Sequence, residues 1–105
     1  MFETLIQKLQ EDKFLTLETT PQHEPSMHNI IERIKKFKLQ DRVDGFSCTD
    51  NPLAKLKYNA LFASLKLQME FKKPVIATMS MRDRNKIALQ SDLMAANDFD
   101  VRAIL

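Results

Sequence analysis

Glycine occurs once in this chain of 105 residues, at Gly45, and tryptophan does not occur at all. A single glycine excludes a glycine-rich phosphate loop, which needs bare backbone at several positions. The one cysteine, Cys48, excludes an internal disulfide and fits a reducing compartment. The two histidines, His23 and His28, have no Cys pair or carboxylate at ligand spacing beside them, which argues against a metal site. No apolar run approaches the roughly 18 residues a membrane helix needs. Met1-Phe2-Glu3-Thr4-Leu5-Ile6 lacks the basic start and apolar core of a secretory signal. A net charge of +2 is too small to argue for nucleic acid or an anionic membrane as partner. A cytoplasmic protein is expected.

What is present describes one globular unit, with 44% hydrophobic and 29% charged residues. Phe2, Leu5, Ile6 and Leu9 recur at helical spacing and predict a short helix over 2–11. A strand is expected over 13–20, with Leu15 and Leu17 on one face and Thr16, Glu18 and Thr20 on the other. Ser26 is the expected N-cap of a helix reaching about 38, with Ile30, Ile31, Ile34 and Phe37 as its buried stripe. A second strand, 43–49, puts Phe46 and Cys48 opposite Ser47 and Thr49. The longest helix is expected from about 54 to 71, its first stripe Tyr58, Leu61, Phe62, Leu65 and Met69. The third strand runs from 75 to about 80, with Ile76, Thr78 and Ser80 on one face. Asn85 is a plausible N-cap for a helix over 86 to about 97, and a fourth strand begins at Val101.

A leading helix followed by β-α-β-α-β-α-β calls for a parallel sheet with helices outside. An open doubly wound sheet would be apolar on both faces. Here one face of each of the first three strands turns polar near its carboxyl end, which fits a barrel whose lumen opens into a site. A whole (β/α)₈ barrel takes about 250 residues. The fold class expected is therefore a partial TIM barrel of about four parallel strands, three connecting helices and an amino-terminal helix, with no second domain.

Three motifs in chain order carry a family resemblance. Arg82-Asp83-Arg84-Asn85, then Ala88-Leu89-Gln90-Ser91-Asp92-Leu93, resembles the third βα loop and helix of the methylenetetrahydrofolate reductase family. Ser47-Cys48-Thr49-Asp50-Asn51 and Leu17-Glu18-Thr19-Thr20-Pro21 fall where that family has its second and first strand ends. The resemblance implies the amino-terminal half of the catalytic barrel of an FAD-dependent oxidoreductase. Such a flavoprotein takes hydride from a reduced nicotinamide onto FAD and reduces 5,10-methylenetetrahydrofolate to 5-methyltetrahydrofolate, in one-carbon metabolism and methionine biosynthesis. The partners implied are the folate and the reduced nicotinamide of the complete enzyme; a homo-oligomer is left open by the sequence. In the family an Arg-Gly-Asp-like turn after the fourth strand contacts the flavin; here that place lies after Leu105. The chain alone is therefore expected to be inactive and to hold FAD weakly or not at all.

The resemblance also assigns roles. Glu18 matches the glutamate thought to protonate N10 of the folate, opening the ring to an iminium that accepts hydride from flavin N5. A carboxyl enclosed by a partly apolar barrel mouth can hold a proton near neutral pH. By residue type alone, Glu18 would sooner pair with Arg82 or Arg84. Thr49 matches a flavin-contacting threonine. Thr78 stands where many members have histidine, and it offers a hydroxyl but no charge. Ser80 is a weaker candidate for the same cofactor. Asp50 reads as a loop cap and Asp92 as structural. The mixed-sign run Arg82 to Asn85 reads as a self-paired loop; the resemblance gives it the task of ordering that loop beside the cofactor. Cys48 reads as core, Met79 and Met81 as gap-fillers. Asp100 stands where the family usually has glycine after the helix; if that position is left-handed, Asp tolerates it better than most residues, at some cost. Two rivals stand beside this reading: a half-barrel binding or assembly module without catalysis, and another barrel enzyme acting on a pterin or phosphate compound with Glu18 as base.

Overall fold

A computed structural model describes residues 1–105. It comprises α1 (Phe2–Glu11), β1 (Thr16–Thr19), α2 (His28–Lys36), β2 (Gly45–Cys48), α3 (Ala60–Phe71), β3 (Val75–Ala77), α4 (Lys86–Asp98) and β4 (Ala103–Ile104). Short 3₁₀ turns occupy Leu39–Arg42 and Pro52–Ala54. The four strands form one sheet in the order β1-β2-β3-β4, and every pair is parallel. Backbone hydrogen bonds from Thr49 to Thr19, from Thr78 to Cys48 and from Met79 to Leu105 carry the pairing slightly beyond the strand ends. No helix is long and apolar enough to cross a membrane.

One face of the sheet carries the core. Phe46, Cys48, Val75 and Ala77 point into it, and α2 supplies Ile31 and Ile34, α3 Leu61 and Leu67, α4 Ala96. Each large aliphatic side chain buried here contributes about 2 kcal/mol. The face of α3 is built for close approach: Ala60, Ala63 and Ser64 are fully buried, and the Ser64 hydroxyl donates to the Ala60 carbonyl at 2.9 Å. That bond satisfies a buried hydroxyl within the helix itself. Register fixes what lies on the other face. Glu18 pairs with Ser47 across β1 and β2, Ser47 with Ile76, and Ile76 with Ala103. Because side chains alternate, these residues face away from the three crossover helices.

The helix ends follow their residues. Asn59 and Asn85 cap α3 and α4 through side-chain oxygens that accept from the amides of Phe62 and Ala88, at 3.0 and 2.8 Å. After α4, Asp100 takes φ 62°, the left-handed conformation that Asp tolerates better than most residues. The Asp100 amide donates to the Asn97 carbonyl and that of Val101 to the Ala96 carbonyl, a Schellman ending that drops Val101 into the core.

Several expected boundaries move. The long helix starts at Ala60 rather than near 54, because Asn51, Leu53 and Ala54 all adopt positive φ and form a turn. Leu56 is consequently exposed, and Phe62 and Met69 of the expected stripe lie on the outer side of α3. Phe37 falls just past α2 and is exposed. The cap position of α2 is Met27, whose side chain is fully buried; Ser26 accepts from the His28 amide one residue earlier. Met79 is buried as expected of a gap-filler, whereas Met81 is exposed.

Candidate functional site

The carboxyl ends of β1, β2 and β3 meet at one rim, and the sequence-predicted residues distribute along it unevenly. Glu18 is exposed on the helix-free face. It forms neither of the expected ion pairs: Arg84 is committed to Asp50 and Asp92, and Arg82 to Asp83 and the Asn51 carbonyl. Thr49 and Thr78 follow β2 and β3 on the same face as Glu18, both half-buried. The Thr49 Oγ1 is shut off from water and has no hydrogen-bond partner. Ser47, beside Glu18 in register, shares a 3.4 Å hydroxyl contact with Thr16.

Ser80 behaves differently from the expectation of a fourth face residue. β3 ends at Ala77, and Ser80 belongs to the loop beyond it. Its hydroxyl accepts from the Arg82 amide at 3.2 Å, and its own amide and carbonyl are both engaged by the Asp50–Arg84 pair.

That pair is the most enclosed charge arrangement at the rim, with side chains 1% exposed for Asp50 and 12% for Arg84. Asp50 Oδ2 accepts from the Ser80 amide at 2.7 Å and from the Arg84 guanidinium, and Oδ1 takes a second, longer guanidinium contact at 3.4 Å. Arg84 donates onward to the Ser80 carbonyl at 2.8 Å and to Asp92 on α4 at 3.3 Å. Hydrogen bonding to Asp50 raises the Arg84 pKa above its ordinary value against the opposing effect of burial. The Arg82 to Asn85 run is thus not simply self-paired. Its second arginine reaches across two loops, a role that residue type did not reveal.

Behind the sheet, burial pushes the Cys48 thiol up to about 11, so it stays protonated and packs as a core side chain. His23 lies apart from the rim hydroxyls, in an open concavity with Glu24, Leu56, Lys57 and Tyr58. No group of three His, Cys, Asp or Glu side chains converges.

Fold and rim together define an α/β chain whose parallel sheet is wound in sequence, helices on one face and hydroxyls with one carboxylate on the other. Comparison of the chain with protein-family models, with curated proteins and with solved structures gives no match.

Proposed function

We propose that this chain forms the amino-terminal half of a (β/α)₈ barrel in a flavin-dependent methylenetetrahydrofolate reductase. The observation that carries the reading is the winding. Sequential strand order with all three crossovers on one face leaves the opposite face free to become a lumen. A doubly wound sheet would instead reverse its order and cover both faces. Further support comes from α1, which is tied to the amino-terminal rim through Asp44 and Asp100, and from Phe14, whose ring lies against Gly45 on that helix-free face. The polar residues then lie at the carboxyl-terminal mouth, where barrel enzymes have their sites.

The residues present fit part of a flavin site. Thr78 offers a hydroxyl on this face, and the Thr49 hydroxyl, unpartnered but enclosed, would have to be uncovered before it could meet the edge of an isoalloxazine ring. Bound FAD would supply the hydride. Glu18, free of any cation, would deliver the proton to the folate nitrogen. Arg84 is fully used by Asp50 and Asp92, so it is not assigned to a phosphate or to the folate's glutamate tail.

The test is to sequence past the codon for Leu105, express the extended protein and assay both half-reactions. The expected product carries flavin, and Glu18→Gln lowers folate reduction by about 10²–10⁴-fold while flavin reduction by nicotinamide is kept. A reading frame that ends there, with a chain that forms a stable defined oligomer without flavin, would instead establish the assembly module. The unpaired edges of β1 and β4 are the observation that favours that rival.

A further inference from the structure

We infer that Asp50 and Arg84 are positioning residues that hold Thr49 and Thr78 in place at the rim. The inference rests on the proposed function only for what the rim serves. The geometry stands without it.

Asp50 directly follows Thr49 at the end of β2. Its carboxylate leaves its own loop and accepts the Ser80 amide at 2.7 Å, two residues beyond Thr78. Arg84 closes the circuit. One guanidinium nitrogen contacts Asp50 and also donates to the Ser80 carbonyl at 2.8 Å, while Nε donates to Asp92 at 3.3 Å. Both backbone polar groups of Ser80 are therefore fixed by a single ion pair, and that pair is anchored to α4. The loop after β2 holds only the short 3₁₀ turn Pro52–Ala54, and the loop after β3 holds no helix or strand before α4. The loop after β2 also contains three residues at positive φ, Asn51, Leu53 and Ala54.

The consequence for the rim is specific. A β-branched side chain has few χ1 choices, so its hydroxyl direction is set by its backbone. Anchoring the residue after Thr49 and the residue two beyond Thr78 to one charge pair locks the two hydroxyl directions relative to each other. A fixed donor array lowers the cost of ordering when a planar polar ligand arrives. Asp50 and Arg84 would touch no ligand themselves. Their effect is on where the threonines point.

The experiment uses the full chain uniformly labelled with carbon-13 and nitrogen-15, with threonine χ1 read from three-bond couplings of the methyl carbon to backbone nitrogen and carbonyl. Wild-type Thr49 and Thr78 are each expected to show the coupling of a single rotamer. Asp50→Asn and Arg84→Met are expected to lose it and give averaged values, with the core methyls of Val101 and Ala96 unchanged. Asp100→Asn cuts a charge tie at the opposite rim and is expected to leave both threonines as they were. Arg84→Lys keeps the charge but not the fork; it carries the same prediction if the other variants fail to fold. Unaltered couplings in folded Asp50→Asn or Arg84→Lys would overturn the inference. So would averaging of equal size in Asp100→Asn, since the effect would then be general loosening. Loss of the threonine couplings in a protein that takes no flavin after extension would leave the positioning role standing and remove the proposed chemistry. Flavin binding with unchanged couplings would do the reverse.

Discussion

At the carboxyl-terminal rim one charge pair that ties the loops together is buried; at the amino-terminal rim the ion pairs are about a third exposed. Asp50, Arg84 and Asp92 join two loops and a helix with almost no solvent between the first two. Lys8 meets Asp44 at 3.9 Å, and the Met1 ammonium meets Asp100 at 3.0 Å, with all four side chains or groups about a third exposed. The amino-terminal rim relies on packing and on one part-buried ammonium instead. The Phe14 ring and the Pro74 carbonyl close over Gly45, and Lys73 holds the carbonyls of Gln40 and Val43. A buried pair cannot lose one member cheaply, because the other is left uncompensated. An exposed pair can, because water replaces the partner. The two rims should therefore answer very differently to the same kind of substitution.

The largest effect is expected at the buried pair. Asp50→Ala should lower stability by about 3 kcal/mol, since Arg84 keeps its charge and Ser80 loses the acceptor for its amide. Denaturant unfolding would measure this, and a loss below about 1 kcal/mol would erase the contrast between the rims.

Packing at the other rim comes next. A methyl group added at Gly45 would overlap the Pro74 carbonyl oxygen and approach the Phe14 ring to 2.6 Å. Gly45→Ala should therefore cost about 2 kcal/mol. Phe14→Leu in the same background should recover part of the loss. No recovery would place the strain on the Pro74 carbonyl alone.

The smallest effect belongs to Asp100. Its carboxyl is held below the usual range, first by the hydrogen bond to the Met1 ammonium and then by the Phe2 amide. A depressed folded value means the contribution is present above the unfolded carboxyl's pKa and is lost as pH falls through the folded one. Asn also tolerates the left-handed backbone, so Asp100→Asn isolates the charge. At neutral pH the variant should lose under about 1 kcal/mol, and thermal midpoints of the two proteins should converge below about pH 4. A gap that stays constant into acid would assign the contact's value to shape rather than charge.

How far the chain could be read by eye depended on distance along it. The order of helices and strands was legible because each rests on a period of two or about 3.6 residues, both local. The Asn85 cap was legible for the same reason. The outer flank of α3 was not. Phe62 and Met69 fit the helical period as well as Leu67 does, and only the position of the sheet determines which of them is buried. The start of α3 was also misplaced, since Leu56 and Tyr58 continue the apolar spacing through a turn that positive φ angles impose.

At the candidate site, strand alternation alone put Glu18, Thr49 and Thr78 on one face; the register shows Glu18 beside Ser47 there, while Thr49 and Thr78 each lie one residue past a strand end. Nothing local announced the Asp50–Arg84 pair, which joins residues 34 apart. An acidic residue just past one strand and a basic residue in the next loop is too common a pattern to single out. Sequence by itself determined the elements, their polarity and the face each strand offers, because those follow from neighbours along the chain. Tertiary structure alone decided which loops are bound to each other and which charges leave water, because those depend on strands brought side by side only after folding.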